Sequence, residues 1–142
     1  MEAGIRNVLF KQNDELQFLV AVNSSIASQL EANLSIDALD FDPSKGEVET
    51  TVWEERVVVP SGRTLNVLAR MPLNEVKRRV HCREIQYEVK LRPWESLTER
   101  GSFFRSPRMV STFEELPPRS ILEEEFRRKK TTAYREYMRE TR

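Results

Sequence analysis

Residues 47 to 71 constrain this chain more than any other stretch. Two runs of β-branched, aromatic and aliphatic residues, VETTVWEERVVV and TLNVLARM, flank Pro60-Ser61-Gly62-Arg63. Pro60 presets φ for the second position of a type I turn and Gly62 accepts the left-handed position after it, so the spacing predicts a hairpin. In the second arm Leu65, Val67, Ala69 and Met71 alternate with Thr64, Asn66 and Arg70, the pattern of a strand buried on one face. The first arm changes phase: Val48, Thr50 and Val52 share one parity, Val57 and Val59 the other. That slip requires a bulge or bend near Trp53 to Arg56, or cover on both faces.

The flanking segments extend this sheet. Asn7 to Lys11 and Leu16 to Val22 read as a second hairpin across a polar break, with Leu16, Phe18, Val20 and Val22 as its buried parity. The run NSSIASQLEANL, residues 23 to 34, predicts a short helix whose apolar stripe is Ile26, Leu30 and Leu34. Asp42-Pro43-Ser44-Lys45-Gly46 has turn chemistry; Pro43 and Lys45 break the ligand spacing of a calcium loop. Residues 36 to 71 then form a three-stranded meander. Leu73, Val76 and Val80 predict a second short helix with Lys77, Arg78 and Arg79 outward, and REIQYEVKLRPW reads as a half-exposed strand stopped by Pro93.

From Ser96 the periodicity fails. Residues 95 to 119 carry prolines and hydroxyls but also Phe103, Phe104, Met109, Val110, Phe113 and Leu116, too many apolar groups for a solvated spacer. An extended arm that lies on its own domain or on a partner is expected. Ser106-Pro107 also matches a proline-directed phosphorylation site, a short and unspecific motif. Beyond it, Ser120 and Glu123 form a capping box after two prolines, predicting a helix from Ile121. Leu122, Phe126, Ala133 and Tyr137 form its seam, with Ile121, Tyr134 and Met138 beside it and an interruption at Lys129 and Lys130. The expected architecture is α+β: a small antiparallel β-rich domain over residues 1 to 94, with about six strands and two short helices. A proline-containing arm (95–119) and a terminal amphipathic helix (120–142) follow.

Composition narrows the function. The chain has 142 residues, the size of one domain, and its 32% of charged residues is high for a compact core. Net charge is zero, yet residues 1 to 60 hold four basic against eleven acidic side chains. Cys82 is the single cysteine, which excludes an intrachain disulfide and points to a reducing, cytoplasmic setting. The first ten residues lack a basic-then-apolar leader, and no apolar run is long enough to span a membrane. His81 is the only histidine, phosphate-loop and nucleophile-elbow motifs are missing, and no cofactor or metal is expected, so catalysis is not. The expected role is that of a non-enzymatic assembly subunit, of the kind found in virions and multi-subunit machines, which self-associates or joins other protein subunits. The partner-binding residues are Phe103, Phe104, Met109, Phe113, Leu116, Leu122, Phe126, Tyr134 and Tyr137. The alternative is an RNA or single-stranded DNA module using Lys77, Arg78, Arg79, Arg83, Lys90 and Arg92 beside Tyr87 and Trp94.

Overall fold

Alternating apolar and polar residues build two antiparallel sheets that bury their apolar faces against each other. A computed structural model describes residues 3–24, 29–94 and 104–140. Its elements are β1 (Ala3–Gln12), β2 (Glu15–Ser24), β3 (Leu30–Asp42), β4 (Gly46–Val59), β5 (Thr64–Pro72), α1 (Leu73–Arg79), β6 (Glu84–Pro93), β7 (Phe104–Arg105), β8 (Met109–Thr112) and α2 (Arg119–Glu140). The fold is α+β, with eight strands and two helices among the described residues. The first sheet has the order β1-β2-β5; the second has the order β4-β3-β6, and both β7 and β8 pair with the remaining edge of β6.

Turn chemistry sets the two hairpins. Asn13 and Asp14 take φ of +50° and +60°, the two-residue turn whose twist matches its strands, and these residue types tolerate that region. The β2 residues Leu16, Phe18, Val20 and Val22 are all fully buried, as their parity requires. Between β3 and β4, Asp42 Oδ1 accepts hydrogen bonds from Ser44 N at 2.8 Å and Ser44 Oγ at 2.7 Å. These bonds hold the Asp42 carboxyl below its usual range, and Gly46 leaves the turn at φ +92°. The β4 phase slip has a single-residue cause. Ile36 opposes Trp53 while Asp37 opposes Thr51, so Val52 is an extra residue that bulges just ahead of the expected stretch.

Three expectations need correction. The hairpin across Pro60 to Arg63 does not form: β4 pairs with β3 and β5 with β2, so this link carries the chain from the second sheet to the first. Alternation satisfies either arrangement, because each arm has one apolar face to bury and finds a partner elsewhere; the meander therefore ends at Val59. The helix expected over residues 23–34 gives way to strand, since β2 runs to Ser24 and β3 starts at Leu30; Ile26 lies outside the described residues. Ala32, Leu34, Ile36 and Ala38 are fully buried, a period of two that outweighs the shorter helical one. Strand β6 is not half exposed, because Glu88 and Lys90 are buried along with Tyr87, Val89 and Leu91. Lys90 Nζ lies 2.8 Å from Asp37 and 3.1 Å from Glu49, and Arg105 lies 3.5 Å from Glu88. Burial works against the Lys90 ammonium, but its hydrogen bonds to the two carboxylates outweigh this and hold its pKa above the ordinary value.

At the centre, Phe18 of the first sheet meets Tyr87 of the second edge to face, with centroids 5.2 Å apart. The Tyr87 hydroxyl lies 2.6 Å from Ser111 Oγ, and burial pushes the phenol pKa up to about 12. Between pH 10 and 12 the unfolded chain therefore releases this proton while the folded chain keeps it, so stability falls by about 2–3 kcal/mol across that window. Urea denaturation at stepped pH is expected to show this slope, and Tyr87→Phe is expected to remove it at a neutral-pH cost of about 1 kcal/mol.

Candidate functional site

The C-terminal segment divides into a part used inside the domain and a part left outside it. Phe104, Met109 and Leu116 pack half-buried against the core, and Phe113 is 2% exposed. The reason is the open edge of β6, which Phe104–Arg105 and Met109–Thr112 fill by antiparallel pairing. Four of the partner-binding positions are thus spent on the chain itself, and Phe103 lies outside the described residues. Between β7 and β8, Ser106 Oγ accepts hydrogen bonds from Val89 N at 2.9 Å and Asn7 Nδ2 at 3.0 Å. That hydroxyl is buried and committed, which speaks against modification of Ser106-Pro107 in the folded chain.

Helix α2 follows Pro117-Pro118 and starts at Arg119, two residues earlier than the capping box implies. Pro118 O accepts from Ile121 N at 3.1 Å, and Glu123 takes Arg119 Nε at 2.7 Å. Arg119 also pairs with Glu47 and lies over the Phe41 ring, 5.2 Å from its centroid. Leu122 is buried, and Phe126 meets Phe41 edge to face at 5.7 Å. The base of the helix is therefore fixed on the β3–β4 hairpin, and Leu122 and Phe126 also belong to the chain's own packing. Beyond Phe126 every residue from 127 to 140 is exposed. Tyr134 and Tyr137 are 63% and 62% exposed, and Met138 beside them 41%.

The basic set is divided as well. Lys77 pairs with Glu115 at 3.0 Å, Arg83 Nε donates to Leu116 O at 3.1 Å, and Lys90 is buried between two carboxylates. Arg78, Arg79 and Arg92 are exposed. Tyr87 is buried and cannot stack on a base, while Trp94 lies under Arg56, whose guanidinium is 4.1 Å from the ring centroid.

One arrangement escaped sequence reading. The buried carboxylate of Asp40 accepts the backbone N–H of His81 at 2.9 Å and of Cys82 at 3.0 Å, and His81 Nδ1 lies 2.8 Å away. Forty-one positions separate Asp40 from His81, and no local pattern links them. Burial pushes the Cys82 thiol pKa up, which keeps it protonated and unreactive beside this pair. Among the described residues no group of three or more His, Cys, Asp or Glu is placed to hold a metal ion. No described helix is long and apolar enough to cross a membrane.

No protein-family model matches this chain, and no curated protein matches it. Among solved structures it is similar to catalytic inactive OgpA from Akkermansia muciniphila in complex with an O-glycopeptide (glycodrosocin) substrate, with a TM-score of 0.53 and 11% identity. That match covers 80% of this chain and 29% of that one, and at such identity it is a likeness of fold alone.

Helix docking has a direct test. A Cβ on Gly46 would lie 3.3 Å from the Phe126 ring at a φ that L side chains rarely adopt. Gly46→Ala is expected to cost about 1–3 kcal/mol by urea denaturation, and less in a Phe126→Ala background where the ring no longer opposes it.

Proposed function

We propose that this chain is a non-enzymatic assembly subunit that binds a neighbouring protein subunit through the distal half of α2. The observation that carries this reading is one helical stripe, interrupted at Lys129 and Lys130, whose first part is covered and whose second part is exposed. Its first part, Leu122 and Phe126, is covered by the β3–β4 hairpin. Its second part, Ala133 and Tyr137 with Tyr134 and Met138 beside them, is exposed. An isolated helix of fourteen residues is marginal in water, and most helical stability in proteins comes from docking an amphipathic face. The overhang holds six basic residues (Arg127, Arg128, Lys129, Lys130, Arg135 and Arg139) against Glu136 and Glu140, so its counterpart has an acidic rim around an apolar patch. Tyrosine and arginine are the side chains that anchor such contacts.

The partner set narrows accordingly to Tyr134 and Tyr137, joined by Met138. Multi-subunit particles, virions included, are built through appendages of this kind, and the single buried Cys82 fits a reducing, cytoplasmic setting. Nucleic-acid binding is not carried forward, because Arg83 and Lys90 are committed to internal partners and Tyr87 is buried.

Hydrogen exchange checks the reading. Amides of residues 127–140 are expected to exchange with little protection in the purified chain and to be protected in the assembly recovered with tagged full-length protein. Tyr134→Glu with Tyr137→Glu is expected to weaken that association at least about tenfold while the melting temperature holds. Protection of these amides in the monomer, or an unchanged association, overturns the proposal.

A further inference from the structure

Strand register and exposure together place an uncovered apolar row on the outer face of the first sheet. Val8 pairs with Leu19 and Leu19 with Leu68, so three side chains cross β1, β2 and β5 in one line. They are 57%, 44% and 45% exposed. Directly opposed side chains on an antiparallel sheet stand about 4.5–5.5 Å apart, so these three form a continuous strip. Single exposed apolar residues are ordinary, whereas contiguous patches mark contacts. The main contacts of α1 are with β5 and β4, and those of α2 are with β3 in the other sheet.

The adjacent row is Phe10, Gln17 and Arg70, also in register, with Phe10 half-buried and Gln17 buried between its neighbours. It has an aromatic ring at its β1 end and a guanidinium at its β5 end. Arg70 lies 3.4 Å from Glu15 but keeps 62% of its side chain exposed. The row beyond the apolar strip is Arg6, Ala21 and Asn66. We propose that this face binds the same face of a second copy, across a two-fold axis running along β2. Such an axis keeps height along the strands and exchanges β1 with β5. It sets Leu19 on the second copy's Leu19 and Val8 on its Leu68. It also sets Phe10 on its Arg70, twice, as cation–π contacts. Arg6 meets Asn66, and Glu15, which the axis sets on its own equivalent, has Arg70 of its own chain at 3.4 Å as counter-charge. The placement of ring and guanidinium at opposite ends of one row is the self-complementarity that a two-fold contact requires.

Size sets the strength. Three strands of about ten residues span roughly 14 Å by 33 Å, or about 450 Å² per copy and about 900 Å² for the pair. That is the low end of specific interfaces, so the dimer is weak and reversible. It is also separate from α2, whose main contacts are with β3 of the other sheet.

Single cysteines in the full-length chain test the axis, since Cys82 is buried and stays silent. Under mild oxidation Leu19→Cys is expected to give a disulfide-linked dimer in at least about tenfold higher yield than Val8→Cys or Leu68→Cys alone. An equimolar mixture of Val8→Cys and Leu68→Cys is expected to match it. In sedimentation equilibrium, Leu19→Lys places two cations on the axis and is expected to raise the dissociation constant at least about tenfold. Tyr134→Glu with Tyr137→Glu is expected to leave it unchanged. A Leu19→Cys chain that stays monomeric, a Val8→Cys chain that links equally well alone, or a wild-type chain that stays monomeric to millimolar concentration overturns the proposal. If the sheet variants have no effect while the tyrosine variants still weaken the larger assembly, this contact fails and the reading of α2 stands.

Discussion

A carboxylate with no access to solvent anchors the entry of β6 into the second sheet. Asp40 sits near the end of β3 facing inward, where an unmatched charge would cost several kcal/mol. It is matched by two consecutive backbone N–H groups, from His81 and Cys82, and by the His81 ring. The link between α1 and β6 is thereby tied to β3, and β6 enters the sheet with Tyr87 beside Ala38. The far edge of the second sheet depends on that register, because β6 is the strand on which both β7 and β8 pair. Arg83 extends the junction: its N–H donates to Pro117 O at 2.8 Å and its carbonyl accepts from Phe113 N at 2.7 Å. The base of α2 is therefore positioned by the same short segment.

Much of the strand content is legible in the sequence, since a period of two over residues 16–22, 65–71 and 85–91 has a single local meaning. Partnership between strands is not. The Pro60 to Arg63 link has the chemistry of a turn, but whether such a link stays within a sheet or passes between sheets depends on edges formed elsewhere. The same limit explains the arm. Phe104, Met109 and Phe113 are correctly read as side chains that need cover, yet local pattern cannot say that the open edge of β6 supplies it. The segment at residues 30–34 fits two periods at once, and the longer alternation through Ala38 decides.

For the candidate site, the identity of the residues is more legible than their use. The seam Leu122, Phe126, Ala133 and Tyr137 is present as read, and its division is a matter of where the domain ends. Phe41 and Gly46 stop at the level of Phe126, where Lys130 Nζ lies 4.9 Å from the ring centroid and closes the covered section. The i, i+4 pairs Glu124–Arg128 and Glu125–Lys129 bridge the boundary on exposed faces, where they contribute a few tenths of a kcal/mol each. The helix is thus held firmly at one end and weakly along the rest, a division that the row of glutamates and arginines does not reveal.

The passage of β5 back to the first sheet bears on how the chain acquires its shape. Strand β2 is flanked by β1 within one tight turn, but its other edge is completed only by residues that come some fifty positions later, as Leu16 meets Met71 and Val20 meets Val67. In between, β3 and β4 have the means to close on themselves. At synthesis rates of roughly 5–20 residues per second, the apolar side of the nascent β1–β2 ribbon waits some seconds for its third strand, and pairing across such separations is slow. The interval on the ribosome before residue 72 emerges is accordingly when this chain is most open to wrong company.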